Sequence, residues 1–327
     1  MIHKPHPPNY PVKELLTMEN WDLVIIGAGA AGLSAGIYAA RSGLKTLIIE
    51  EKLAGGTTSD APVVENYPGF AEISGGDLAQ NMTLHCRKTG VTIRELETVE
   101  SIKLEGEDKT VTTNKGEYTT KAIIIATGSH YREVGVPGEK EFRGKGVSYC
   151  AVCDGPFFKG KRVAVVGGGN SAATAILYLS GVVGEVAAVH RRHAFRAEDA
   201  LVKDIASKKN VQVFWNTEIR EIKGEKLVNK VVLFDNKAEK TSELEVNAVF
   251  VQVGEDPNSQ IAREAGVEVN EHGYIKTDVY QKTNIPGVYA AGDVTTHPVK
   301  QVGTAVGQGI TAALEAYAYI KQPYYRK

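Results

Sequence analysis

One supersecondary unit is written twice in this chain. The stretch WDLVIIGAGAAGLSAGIYAARSGLKTLIIEE opens on an apolar strand, Leu23 to Ile26, and turns through Gly27, Gly29 and Gly32. It continues as a small-residue helix to about Arg41, stops at Gly43, and closes with a second strand, Thr46 to Ile49, ending at Glu50. Later the pattern recurs as KRVAVVGGGNSAATAILYLSGVVGEVAAVHRR, with Gly167, Gly168 and Gly169 in the turn and Ala172 at the last small position. Glycines placed after a strand and before a helix mark a βαβ nucleotide-binding unit. Each unit has a matching tail, KAIIIATGSH ending at Gly128 and NAVFVQVGEDPN ending at Gly254. The segments between unit and tail alternate and turn like antiparallel excursions. The chain therefore reads as α/β, with two nucleotide-binding domains of similar plan.

The glycines have separate tasks. Gly27 permits the tight turn, Gly29 admits a pyrophosphate to the backbone, and Gly32 lets helix and strand pack closely. The residue after the second strand then discriminates between ligands. Glu50 offers a carboxylate to ribose hydroxyls and repels a 2′-phosphate, which suits FAD or NAD. The equivalent place in the second unit reads HRRHAFR, with His190, Arg191, Arg192 and Arg196. Guanidinium forks there suit a 2′-phosphate, so NADPH is expected over NADH. Near the C-terminus, an apolar strand from Val288 to Ala291 ends at Gly292 and Asp293, and a helix starts near Gln301. An acid at a strand end beside a helix start can serve the ribityl chain and pyrophosphate of a flavin.

Composition narrows the partners. Lys and Arg number 38 against 39 for Asp and Glu, a balance that gives no electrostatic reason to expect nucleic acid. No apolar run approaches a membrane span. The start of the chain is rich in proline and lacks the apolar region of a secretory signal, so it reads as an extended arm. Three cysteines in 327 residues fit a reducing compartment, and cytoplasm is expected.

Two of those cysteines, Cys150 and Cys153, stand in SYCAVCDG, with Asp154 directly after. A metal clip needs about four ligands. The pair supplies two, and only Cys86, with His85 beside it, could add to them, so no metal is expected. A structural staple across so small a loop gains little. A dithiol that turns over explains more, because a CxxC lowers one thiol pKa and lets one sulfur resolve the other. Asp154 is placed to exchange the proton that such chemistry moves.

Taken together, GAGAAG, ENYPG, ATG, YCAVCDG, GGGNSA, HRRHAFR and GVYAAGD resemble the low-molecular-weight thioredoxin reductases, from about Trp21 to the last helix. The CxxCD just before the second glycine loop is the most specific element. The resemblance implies two Rossmann-like domains of the three-layer ββα type, the NADPH domain inserted into the FAD domain. It places an arm at 1–19, the FAD domain at 20–128 and 257–327, and the NADPH domain at 129–256. It implies FAD contacts at Gly27, Gly29, Ala31, Gly32, Glu50, Gly56 and Asn66, at Ala126, Thr127 and Gly128, and at Gly292, Asp293, Gln301 and Val302. It implies NADPH contacts at Gly167, Gly169, Asn170, Ser171, His190, Arg191, Arg192 and Arg196. Cys153 would take electrons from the flavin, and Cys150 would attack the disulfide of thioredoxin. A homodimer is implied as well.

This sequence departs from the family at two places. It has Gly55-Gly56-Thr57 where many members have Gly-Gly-Gln, and Lys300-Gln301-Val302 where they often have Arg-Gln-Ala. The plan also poses a geometric problem. Dithiol and nicotinamide belong to one domain, and both must meet one flavin. The inserted domain must therefore rotate about its crossings near Gly128 and Gly254. Competing readings are a reductase for another disulfide partner, a flavin dithiol oxidase and a non-enzymatic flavin redox sensor.

Overall fold

The computed structural model describes residues 19–61 and 63–322; the proline-rich arm, Tyr324 and Tyr325 lie outside them. The first glycine unit forms β1 (Glu19–Ile26), α1 (Ala30–Arg41) and β2 (Thr46–Ile49), with Leu23 opposite Thr46 and Ile26 opposite Ile49 in parallel register. After α2 (Gly75–Lys88), β3 (Thr92–Arg94) pairs with the far side of β2. Then β4 (Val99–Lys103) and β5 (Lys109–Thr113) run antiparallel, and β6 (Glu117–Ile125) returns parallel to β1. Ile123, Ile124 and Ile125 have no exposed surface. Such near-continuous apolar runs are what a parallel strand covered on both faces requires.

The chain leaves this sheet through β7 (Ser129–Tyr131). The next strands and helices are β8 (Val147–Ser148), α3 (Ala151–Asp154), β9 (Arg162–Gly167), α4 (Asn170–Ser180), β10 (Glu185–Val189), α5 (Asp199–Ser207) and β11 (Val211–Phe214). An antiparallel excursion follows, β12 (Thr217–Gly224), β13 (Val228–Asp235) and β14 (Lys240–Glu245), and then β15 (Ala248–Gln252). The second sheet has the order β11-β10-β9-β15-β8, and the excursion is a sheet of its own.

The return crossing is β16 (Glu255–Pro257), which pairs antiparallel with β7. Arg132 forks onto Asp256 beside it, with Nε and Nη2 at 2.8 and 2.5 Å from the two carboxylate oxygens. Past α6 (Gln260–Glu264), β17 (Val288–Ala290) pairs with β6 of the first sheet. The last helix, α7 (Val302–Lys321), packs on α1 so closely that a Cβ on Gly309 would lie 2.1 Å from the Ala31 carbonyl oxygen. The C-terminal segment thus completes the first Rossmann-like sheet. No helix among the described residues is long and apolar enough to cross a membrane.

One sequence expectation shifts. β1 begins at Glu19, inside the stretch read as arm, and runs four residues ahead of the apolar core read from the sequence. Its extra residues pair with Tyr118–Thr120, and Arg94 bonds Glu19 at 2.7 Å, contacts that local hydropathy does not display. The first excursion, β4 and β5, is antiparallel as its alternation suggested, and through β6 it extends the first sheet.

Candidate active site

The first loop meets the demands its glycines announced. Gly27 holds φ +104°, and a Cβ there would lie 2.4 Å from the Ala126 carbonyl oxygen. A Cβ on Gly32 would lie 1.9 Å from the Gly27 carbonyl oxygen, so any side chain would push helix from strand. Gly29 is the N-cap of α1 and brings no side-chain cap, which leaves first-turn N–H groups for an anion. Glu50 accepts from Ala28 N–H at 2.7 Å and from Lys52 N–H at 2.9 Å. Each carboxylate oxygen keeps acceptor capacity for a hydroxyl.

The returning segment supplies the opposite wall. Gly292 N–H donates to Gln308 Oε1 at 2.6 Å, which fixes the turn that presents Asp293. Burial, reinforced by the charge of Glu255 and opposed by Lys300, raises the Asp293 pKa to about 6. Lys300 Nζ donates to the carbonyls of Asp293 and Thr295 at 2.9 and 2.6 Å and lies 4.2 Å from the Tyr274 ring centroid. Its side chain is thus tied into the turn. Gln301 caps α7 through its N–H to Thr304 Oγ1 at 3.2 Å, and its Oε1 accepts from Asn66 Nδ2 at 3.2 Å.

Gly27, Gly29, Ala31, Glu50, Gly56, Asn66, Ala126, Thr127, Gly128, Gly292, Asp293, Gln301 and Val302 all line one cavity of 1290 Å³. Of the expected flavin contacts only Gly32 stays outside its wall, as its packing task requires. Thr57, at the place of the family glutamine, lines it too. The uncapped helix start, the strand-end carboxylate and the buried acid fit a flavin dinucleotide.

Cys150, Cys153 and Asp154 open onto the same cavity. The two sulfurs are joined in a disulfide. Cys150 is the N-cap of α3, and its Sγ accepts from Cys153 N–H at 3.2 Å. Ser148 Oγ accepts from Cys150 N–H at 3.0 Å, and Tyr149 O accepts from Gln252 Nε2 at 2.8 Å. Tyr149 OH donates to the buried Glu139 at 2.9 Å. Cys153 Sγ lies 3.9 Å from Gln301 Nε2, on the wall formed by the returning segment. Burial raises the Asp154 pKa, against the lowering effect of a hydrogen bond from Ser148. That favours the protonated carboxyl on the cavity wall. Arg143 Nη2 reaches Asp60 Oδ2 at 3.3 Å and joins the dithiol-bearing unit to the first unit. The sequence reading missed Arg143, Asp60, Glu139 and Gln252. Cys86 lies apart on α2, fully buried, its thiol pushed up to about 12 by that burial.

The second loop lies elsewhere: none of its candidate residues lines the cavity. Gly167 holds φ +152°, where a Cβ would lie 2.2 Å from the Gln252 carbonyl oxygen, and Gly169 has open space around its Cβ position. α4 starts without a side-chain cap, with Asn170 and Ser171 exposed in its first turn. Asn170 and Glu198 bond each other reciprocally at 3.0 and 2.9 Å, and Arg196 N–H donates to Gly168 O at 2.7 Å. Arg191, Arg192 and Arg196 are exposed. His190 sits differently from the three arginines. It is buried, its Nε2 lies 3.0 Å from Ala194 O, and its ring sits directly under Gly168. The imidazole shapes the loop from beneath.

The buried Asp293 makes a prediction. Unfolded, an aspartate is ionised above about pH 4, while in the flavin-free fold Asp293 keeps its proton to about 6. Flavin-free stability therefore falls as pH rises between those values, leaving a deficit of about 3 kcal/mol at neutral pH. Asp293→Asn is expected to raise the melting temperature of flavin-free protein at pH 7.5 but not at pH 4, and to weaken flavin binding. Equal melting shifts at both pH values would contradict the assignment.

The sequence model of the family described as pyridine nucleotide-disulphide oxidoreductase matches residues 21–309. The thioredoxin reductase of Treponema pallidum is 42% identical over 302 residues, covering 92% of this chain and 97% of that protein. The crystal structure of thioredoxin reductase from Streptococcus pyogenes superposes with a TM-score of 0.90 at 37% identity, over 94% of this chain and 100% of that one. The structure of Lactococcus lactis thioredoxin reductase, described as in the FR conformation, has 38% identity, covers 93% of this chain and 100% of that one, and gives a TM-score of 0.64. By these similarities, with a Cys150–Cys153 disulfide opening onto the cavity, the chain belongs to the pyridine nucleotide-disulphide oxidoreductase family, among the low-molecular-weight thioredoxin reductases.

Proposed function

We propose that this protein reduces the disulfide of a thioredoxin with electrons from NADPH, using FAD held in the cavity and the Cys150–Cys153 pair. The observation that carries this reading is the meeting of the disulfide, Asp154 and the two glycine-marked walls in one cavity. FAD there supplies a carrier that takes hydride and gives up electrons to a disulfide. Glu50 would hold ribose hydroxyls, the uncapped start of α1 would take the pyrophosphate, and Asp293 would accept from the ribityl chain. Arg191, Arg192 and Arg196 clamp the 2′-phosphate of NADPH at the other glycine loop, which selects it over NADH. Asp154 holds the proton that a departing sulfur needs.

In this arrangement the dithiol occupies the flavin side and the nucleotide loop is remote. The functional domains in this reading are 20–128 with 257–327, and 129–256. The second must rotate about β7 and β16, where Gly128 and Gly254 take positive φ of 66° and 127°. Two relatives of nearly equal identity that superpose with such different scores support a fold with more than one domain arrangement. A cytoplasmic homodimer completes the proposal.

An acceptor panel tests it. NADPH oxidation is followed with oxidised thioredoxin, a glutaredoxin, a peroxidase disulfide domain and oxygen in turn. Thioredoxin is expected to sustain the fastest turnover. Oxygen as the best acceptor would favour a dithiol oxidase, and NADPH-driven flavin reduction with no acceptor turnover would favour a sensor.

A further inference from the structure

The two sulfurs receive hydrogen bonds from different parts of the molecule. Cys150 Sγ accepts from the backbone N–H of Cys153, 3.2 Å away on the same short helix. Cys153 Sγ has Gln301 Nε2 at 3.9 Å, from the segment that completes the first sheet. The orientation of that amide is set, because Gln301 Oε1 is engaged by Asn66 Nδ2 at 3.2 Å, which turns the NH2 toward the sulfur. Other titratable side chains on the cavity wall include Asp154, Tyr131, Tyr149, Arg143, Asp293 and Lys300. None of them hydrogen-bonds either sulfur among the described residues.

From this asymmetry we infer that Gln301 is a catalytic residue that stabilises the Cys153 thiolate only while the dithiol faces the flavin, with Asn66 as its positioning residue. The inference rests on the reading above, in which the dithiol-bearing domain rotates. When two electrons from the reduced flavin cleave the S–S bond and one proton is taken up, the products are one thiolate and one thiol. Facing the cavity, the negative charge falls on Cys153, next to the Gln301 amide, and Cys150 carries the proton. Rotation carries the Cys153 N–H along with Cys150 but leaves Gln301 behind. Cys153 then loses its donor while Cys150 keeps its own. One proton passes from Cys150 Sγ to Cys153 Sγ, with Asp154, which follows Cys153 in the chain and opens onto the same cavity, as the relay. Cys150 is left as the thiolate, and it attacks the acceptor disulfide. A donor to a charged acceptor is worth more than one between neutral groups, so a single amide can tip a balance between two similar thiols.

The test uses flavin-loaded proteins that keep one cysteine of the pair, and reads the pH profile of iodoacetamide alkylation by peptide mass spectrometry, which separates that thiol from the buried Cys86. In the Cys150→Ser background, Gln301→Leu is expected to slow Cys153 alkylation at pH 7 by about three- to tenfold and move its profile to higher pH. Gln301→Glu, which keeps the shape and removes the donor, should do the same, and Asn66→Leu should do so more weakly. In the Cys153→Ser background, Gln301→Leu should leave the Cys150 profile in place. An unmoved Cys153 profile, or equal shifts of both thiols, overturns the inference. Bleaching of the parent protein's flavin by NADPH is scored separately. Its failure would sink the functional reading, whereas an unmoved profile with normal bleaching would sink only the role of Gln301.

Discussion

Cys153→Ser protein is expected to lose thioredoxin reduction by on the order of a thousandfold or more, and to trap its acceptor on Cys150. The trap follows from the division of labour between the sulfurs. Cys153 lies toward Gln301 and the cavity wall, so it receives electrons. Cys150 caps α3 and is the sulfur left to attack a partner. With Cys153 gone, nothing resolves the mixed disulfide, and the adduct persists on a non-reducing gel. Cys150→Ser should lose turnover to the same extent without trapping anything. Both variants should keep bound FAD and its bleaching by NADPH, because neither sulfur belongs to the nucleotide loop. Trapping by Cys150→Ser and not by Cys153→Ser would reverse the two roles.

A bridge across the seam between the units should have a second large effect. Asp60 and Arg143 meet at 3.3 Å and belong to the two different units. As an exposed ion pair it holds little, so the natural seam can open. In Asp60→Cys/Arg143→Cys protein joined by a bis-maleimide, the dithiol stays on the cavity and the NADPH loop stays away. NADPH bleaching of the flavin is expected to fall by about a hundredfold or more, since the reacting centres cannot approach. Dithionite should still bleach the flavin, and the unbridged double variant should keep its turnover. Undiminished NADPH-to-thioredoxin turnover in a verified bridged sample would show that no rotation is needed.

What the sequence made legible is what backbone geometry dictates locally. Gly27 and Gly32 have carbonyl oxygens within 2.4 Å of where a side chain would begin, so glycine is required and the pattern is readable. The apolar runs of β1, β6 and β15 are equally plain, because both faces of these strands are covered. Contacts between distant segments were not legible. Asp60 and Arg143 are 83 residues apart, and Gln252 and Tyr149 are 103 apart. No local spacing announces such pairs. His190 shows the converse case. Its place at the head of an arginine cluster suggested a ligand contact, whereas its aromatic bulk fills the space under Gly168, against Phe195 and Trp215. Lys300, which stands where arginine is often found, spends its amine on the carbonyls of its own turn, a role its identity alone does not display.

The central claim is that electrons enter from NADPH and leave through the Cys150–Cys153 pair. Anaerobic titration of the FAD-loaded protein, with NADPH and NADH in parallel, tests it most directly. The account predicts fast bleaching by NADPH and slow bleaching by NADH. It also predicts uptake of about two equivalents of NADPH per chain, one for the flavin and one for the disulfide. Uptake of a single equivalent, or equal rates with the two nucleotides, would contradict it.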